Sequence, residues 1–474
     1  MVARSRVMSF GRAFCVVVAA NVVAVQAQAE TLADALVGAY KHSGLIEQNR
    51  ALLRAADEDV AAAVSTLKPV LRWSAEATQN FGSTRFSTSG GATRQSNEDL
   101  TLAANLTAEL LLYDSGASKL RVAAAKETVL ATREVLRNIE QQVLLSAVAA
   151  YFGVLEASEF VALRKNNQRL LTQELRAAKD RFEVGEVTRT DVALAEAQLA
   201  QARSGLAGAE GDLLQAIEAY RNAVGRTPGN LAQPPALPNV GNDVRAAKAL
   251  AVRQHPRMLT AQFQAKAADL LTSASTADLN PRVTLQGNAR ISRDMNSSAR
   301  SNTASIGVQA NQTIYQGGRL SSAIRRNMAQ RDAQRADLHI VKHDLEQLVG
   351  NAYADLLAAR AQLEATDRQI RAARIAFQGV REEATLGART TLDVLDAEQS
   401  LLDAETSRVT ARANLYVAAY SVLSATGRLT AKDLRLPVQL YDPEGYYNLV
   451  KDAPAKKSEQ GRKLDRVLRA LQKD

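Results

Sequence analysis

Cysteine is nearly missing from the 474 residues: the single one, Cys15, sits inside the largely apolar run AFCVVVAANVVAV. Arg4, Arg6 and Arg12 precede that run and Ala27-Gln28-Ala29 follows it as a small-residue cleavage site, so residues 1–29 read as a secretory signal peptide. A mature chain beginning near Glu30 then has no thiol, which excludes a thiol nucleophile, a zinc-cysteine centre and a disulfide framework. Charge of one sign is also scarce. Without the three leader arginines, the 59 basic residues fall to 56 against 50 acidic ones, a net +6, too mild to indicate nucleic acid as a partner. Aromatics make up 4% of a chain that is 46% hydrophobic, so Ala, Leu and Val supply the apolar surface; that mixture suits long interlocking helices better than a bulky core. After the leader there is no uninterrupted run of 18 apolar residues. A helical membrane span is therefore not expected, whereas a membrane β-barrel is compatible with this lack.

Proline is absent from 70 to 227 and from 282 to 436, leaving two uninterrupted bodies joined by the stretch TPGNLAQPPALPNVG. The two bodies are repeats. LLLYDSGASKLR and QTIYQGGRLSSA share a phrase, with Tyr113 and Gly116 lying 202 residues before Tyr315 and Gly318. The same offset pairs Tyr151 with Tyr353, Gly185 with Gly387, Asp191 with Asp393 and Glu196 with Glu398, without a gap, as expected of helix packed along its whole length. Upstream, Pro69 pairs with Pro281 at 212, so ten extra residues fall between Pro69 and Tyr113, where a loop would absorb them.

After each of those prolines the period changes to two. Leu71, Trp73, Ala75 and Ala77 alternate with Arg72, Ser74, Glu76 and Thr78; a loop rich in Gly, Ser and Thr is expected next, and DLTLAANLTAELLLY returns with Leu and Ala on one face. Val283, Leu285, Ala289 and Ile291, then Ala304, Ile306, Val308 and Ala310, do the same in the second repeat. Four such strands fit transmembrane β-strands; a soluble sandwich is the alternative on the strand pattern alone. Long proline-free helices follow, turn sharply at Gly185 and Gly387, and return at about half length. YDSG and YQGG are then the corners where strand becomes helix, with Gly116 and Gly318 allowing the bend and Tyr113 and Tyr315 suited to a membrane interface.

The doubled hairpin, the Tyr-x-x-Gly corner, the very long helix and the stretches TDVALAEAQLAQA and GARTTLDVLDA together resemble the TolC family of outer-membrane channel-tunnel proteins, over nearly the whole mature chain. The resemblance implies a mainly α protein with β, in which a homotrimer forms one 12-stranded β-barrel in outer-membrane lipid, continued across the periplasm by an α-helical barrel. The expected layout is repeat one at 30–226 (helix, hairpin about 70–113, long helix 117–184, half helix 188–224) and a linker at 227–243. Repeat two follows at 244–428 (helix, hairpin about 282–315, long helix 320–386, half helix 390–426), then a periplasmic segment with a basic tail at 429–474. The family's entrance ring maps to Asp393 and Asp396. Its closed-state lock maps to Arg389 with acceptors Asp191 and Thr190, and Ala384 replaces a tyrosine that assists this lock. Gly185 and Gly387 mark the tip that meets a periplasmic adaptor (a membrane fusion protein) joined to an inner-membrane ABC transporter. Within the family the resemblance favours a type I secretion duct exporting a glycine-rich-repeat toxin of the adenylate cyclase class, with multidrug efflux as the alternative and a pore-free periplasmic scaffold behind both.

Simpler roles stand beside these. Asp191 and Asp393 each follow a Gly turn by six residues, where a first-turn acid favours the helix dipole. His339 and His343 have metal-pair spacing, but Ile340 follows His339 in place of the glutamate of a metalloprotease and no third ligand is evident, so no metal and no cofactor are expected. GLAGAEGD lacks the strand and lysine of a phosphate loop, no nucleophile elbow or catalytic dyad occurs, and an enzyme is not expected.

Overall fold

The structure is a computed structural model, and it describes residues 29–234 and 236–471; the expected leader, up to residue 28, lies outside the described residues. Each repeat opens with two short helices, α1 (Leu32–His42) and α2 (Gly44–Ser65) in the first. Ser43 ends α1 and its hydroxyl accepts from Ile46 N to start α2.

The first hairpin, β1 (Val70–Thr88) and β2 (Gly91–Tyr113), is longer than the sequence suggests. The stretch after Gln79, expected as a loop, continues as strand and turns only at Ser89-Gly90, with each residue of β1 paired to one of β2. Phe81, Phe86 and interleaved threonines favour extended backbone, and the antiparallel ladder satisfies N–H and C=O groups that a loop would leave to water.

The long helix α3 (Ala117–Glu183) and the half-length α4 (Arg189–Val224) complete the first repeat. Repeat two comprises α5 (Val244–Gln254), α6 (Pro256–Ala277), β3 (Arg282–Asp294), β4 (Arg300–Asn311), α7 (Arg319–Thr385) and α8 (Thr391–Ala425). Its hairpin is shorter, and Tyr315 lies beyond the end of β4. Two small helices, α9 (Pro443–Val450) and α10 (Glu459–Leu471), follow.

All four strands form one antiparallel sheet in the order β1-β2-β3-β4, so the junction between repeats is a strand pair. Its register keeps chemistry constant across the rows near the helices. Leu71, Ala108, Gly287 and Ile306 form one row, and Trp73, Leu106, Ala289 and Ala304 the next but one. Between and beside them run Arg72, Thr107, Asn288 and Ser305, then Ser74, Asn105, Arg290 and Thr303. Over these rows one face is apolar across the width of the sheet and the other polar, whereas toward the hairpin ends charged residues join the apolar face, as Arg293 and Arg300 do in the row of Ala77 and Leu102. The apolar face is uncovered: Leu71 and Trp73 are 72% and 70% exposed and Ile306 is 80% exposed.

At 67 residues each, α3 and α7 reach about 100 Å. The widest core lies where α1, α3, α4 and α8 meet, around Val143, Leu144, Ala147, Val148, Tyr151 and Phe152 of α3. Contrary to expectation, α3 has a stretch apolar enough by length and composition to cross a membrane. Packing buries part of that stretch, α3 being the one helix in contact with α1, α2, α4, α6 and α8. The two repeat tyrosines tie the long helices to the linker in the same way: Tyr151 Oη donates to Ala232 O (2.8 Å) and Tyr353 Oη to Val240 O (2.7 Å).

Candidate functional site: the helical tip

At the end farthest from the sheet each long helix turns within a few residues. Gly185 (φ 80°) and Gly387 (φ 74°) take the left-handed conformation that closes α3 and α7. The turn is hydrogen-bonded alike in both: Glu186 N donates to Arg181 O and Ala388 N to Glu383 O, both at 2.9 Å.

The returning helices start with matching capping boxes. Thr188 Oγ1 accepts from Asp191 N (3.3 Å) while Asp191 Oδ2 accepts from Thr188 N (2.9 Å); Thr390 and Asp393 repeat this at 3.2 and 2.9 Å. Hydrogen bonds from the cap threonine hold both carboxyls below the usual carboxylate range. Asp393 is thus engaged within its own helix. Asp396, one turn on, is exposed and its carboxylate has no partner among the described residues.

The two turns of one chain face each other across a groove with Asp191 on one wall and Arg389 on the other. The two residues are not bonded within the chain. Arg389 Nε donates to Glu383 Oε2 at 2.8 Å instead, Asp191 accepts from Thr188, and Thr190 is exposed. Ala384 is buried beside Phe377 and Val394.

A polar joint that the sequence did not reveal lies about two turns above the tip. Glu398 on α8 is 3% exposed and accepts from Asn167 Nδ2 of α3 at 2.9 Å, leaving its Oε2 without a partner. Burial pushes its carboxyl up to about 7. Around it Arg381 of α7 pairs with Glu174 of α3 (3.5 Å), and Arg374 of α7 with Glu405 of α8 (3.0 Å). This cluster fastens the α7–α8 pair to α3. Its repeat counterpart Glu196 is exposed and pairs with Lys179 at 2.8 Å, so residue type alone gave no signal.

At the sheet end, the corners differ in detail. Gly116 (φ 84°) and Gly318 (φ 80°) start the long helices, preceded by Ser115 and Gly317, both at φ 54°. Asp114 binds Gly116 N and Ser118 N at 3.1 and 2.8 Å, a support that Gln316 does not supply in the second corner. Tyr113 and Tyr315 are 57% and 85% exposed. Among the described residues no group of three or more His, Asp or Glu side chains could hold a metal.

An open sheet whose helix-proximal half has one exposed apolar face, borne on helices about 100 Å long, has the form of a membrane-embedded β-sheet with a helical extension. Comparison with known proteins places it further. The family model described as outer membrane efflux protein matches residues 36–226 and 249–428, one span per repeat. The chain is 37% identical over 431 residues to the outer membrane efflux protein BepC of Brucella suis, covering 90% of this chain and 91% of that one. It is 28% identical over 311 residues to the outer membrane protein TolC of Vibrio cholerae, covering 62% and 70%, and 28% identical over 408 residues to protein CyaE of Bordetella pertussis, covering 84% of each. The fold is similar to the crystal structure of the CmeC outer membrane channel of Campylobacter jejuni, with a TM-score of 0.74, 15% identity and 90% of each chain covered. The chain belongs to the outer membrane efflux protein family, that of TolC. It is an outer-membrane channel with a periplasmic tunnel, of the efflux and secretion kind.

Proposed function

We propose that the protein works as a homotrimer in which three four-stranded sheets close one 12-stranded barrel and the helices continue it as a tunnel toward an inner-membrane transporter. The observation that supports this reading most is the sheet itself. Its lipid-suited face spans all four strands, yet β1 and β4 are open edges, and unpaired backbone is not tolerated in hydrocarbon. Edges of neighbouring copies would pair with each other.

In this reading the tunnel entrance is at the tip. Asp396, and Asp393 behind it, repeat around the axis as a cation-favouring constriction, and the Gly185 and Gly387 turns face a periplasmic adaptor. Arg389 is the mobile part of the lock: its exposed Glu383 pair is weak enough to exchange for Asp191 and Thr190 of an adjoining helix pair. No chemistry is done by the channel, and energy comes from the transporter.

For cargo, the higher identity and coverage of BepC support efflux of small molecules. A type I duct for a glycine-rich-repeat toxin, the reading suggested by the sequence, keeps the support of similarity to CyaE. A strain lacking the protein distinguishes them. Heightened sensitivity to a drug panel with normal protein secretion is the expected result; intact drug tolerance with toxin retained inside the cell would move the function to secretion.

A further inference from the structure

The C-terminal tail carries a basic surface near the start of the β-sheet. Lys68 Nζ donates to the carbonyl oxygens of Asp452 and Ala453, holding the α9–α10 connection beside the residue three positions before Leu71. Leu71 begins the apolar sheet face, and three extended residues span only about 10 Å. From there α10 folds against the body, with Leu464 and Leu468 packed on Ala61, Tyr446 and Val450. The tail thus docks through its apolar side on α2 and α9, near the end of α2 that leads into the barrel.

The other side of α10 faces away from the rest of its own chain. Arg462, Arg466 and Arg469 recur at four- and three-residue intervals, hence on one face, and all three are exposed. None has a side-chain hydrogen bond or ion pair among the described residues, and the same is true of exposed Lys456 and Lys457 just before the helix. Lys463 alone is matched, by Glu459 at 3.0 Å. Clustered like charges oppose folding unless something anionic lies opposite them.

We propose that this basic face of α10 binds the anionic phospholipid headgroups of the periplasmic leaflet of the outer membrane, anchoring the outside of the tunnel to the bilayer next to the strand entry. Charge complementarity and the short distance to the first lipid-facing side chain both select this occupant. The inference rests on the outer-membrane location and not on the cargo.

The test uses the full chain reconstituted in vesicles. Cys15 is the only cysteine, so Ala470→Cys with Cys15→Ser gives a single fluorophore site on the exposed side of α10. Quenching by a headgroup-quencher lipid is compared in phosphatidylcholine with and without phosphatidylglycerol. It should rise severalfold with phosphatidylglycerol and fall back at high ionic strength. Arg462→Gln with Arg466→Gln and Arg469→Gln should return it to the phosphatidylcholine level, at roughly fivefold in lipid affinity per charge. Leu464→Ser with Leu468→Ser, which undocks the helix but leaves its charges, should broaden the label's depth distribution. Quenching that ignores phosphatidylglycerol or the triple variant overturns the proposal, and arginine-dependent binding to purified cell-wall fragments with lipid-independent quenching overturns it in favour of a wall polymer. Conductance of the triple variant should be unchanged, so failure here is distinguishable from failure of the channel reading.

Discussion

Glu398 occupies an environment far from what its type suggests. It sits under the α7–α8 pair, donated to by Asn167 and flanked by Glu174, Arg374, Arg381 and Glu405. Its folded carboxyl holds a proton up to about pH 7, whereas in the unfolded chain it loses it near 4.5. The folded state therefore binds the proton more tightly, and this contribution to stability is greatest below about pH 4.5 and is lost as pH rises toward 7. Asp57, pushed up to about 6 by burial, acts in the same sense. Glu398→Gln keeps an oxygen for Asn167 and need not ionise, so relative to the parent its Tm should be higher at pH 8 and fall less between pH 5 and 8; parallel Tm profiles would mean that Glu398 does not couple folding to pH. At the proposed entrance, Asp396→Ala should reduce cation selectivity in planar bilayers more than Asp393→Ala, because Asp393 also serves its helix cap, and equal effects would contradict that division. The acids at the tip were visible in the sequence as a repeated position after a glycine. The buried joint was not, because Glu196 and Glu398 are the same residue at the same repeat position and only the packing of α8 on α3 separates them.

Among elements, the two helix pairs and two hairpins were legible because proline spacing, a constant offset and a change of period from 3.6 to 2 all report backbone geometry directly. Strand length was less so: the Gly- and Ser-rich stretch after Gln79 looks like loop by composition, and only cross-strand pairing makes it strand. The glycines that end α4 and mark the tip can be ranked by structure. Gly225 (φ 86°) closes α4 with the His42 ring where a Cβ would stand, whereas Gly185 has the same handedness with open space around it. Gly185→Ala should cost only the left-handed strain, about 1–2 kcal/mol. Gly225→Ala adds a collision at the junction of α1 and α2 and should cost more, read as a lower temperature of oligomer dissociation; equal losses would show that His42 can move aside at no cost.

For the whole molecule, the open sheet governs. One chain leaves the outer edges of β1 and β4 open and its apolar rows exposed, so the protein in detergent should run as an oligomer of three times the chain mass that heating converts to monomer. A monomer stable in the absence of detergent would instead point to the pore-free scaffold. The most direct test of the account is single-channel recording of the purified protein in a planar bilayer. The account predicts discrete, cation-preferring conductance steps that polyvalent cations block from the tip side, with block and preference both diminished when Asp393 and Asp396 are replaced together by alanine. A protein that inserts without discrete steps, or whose steps keep their selectivity and block in that double variant, would contradict it.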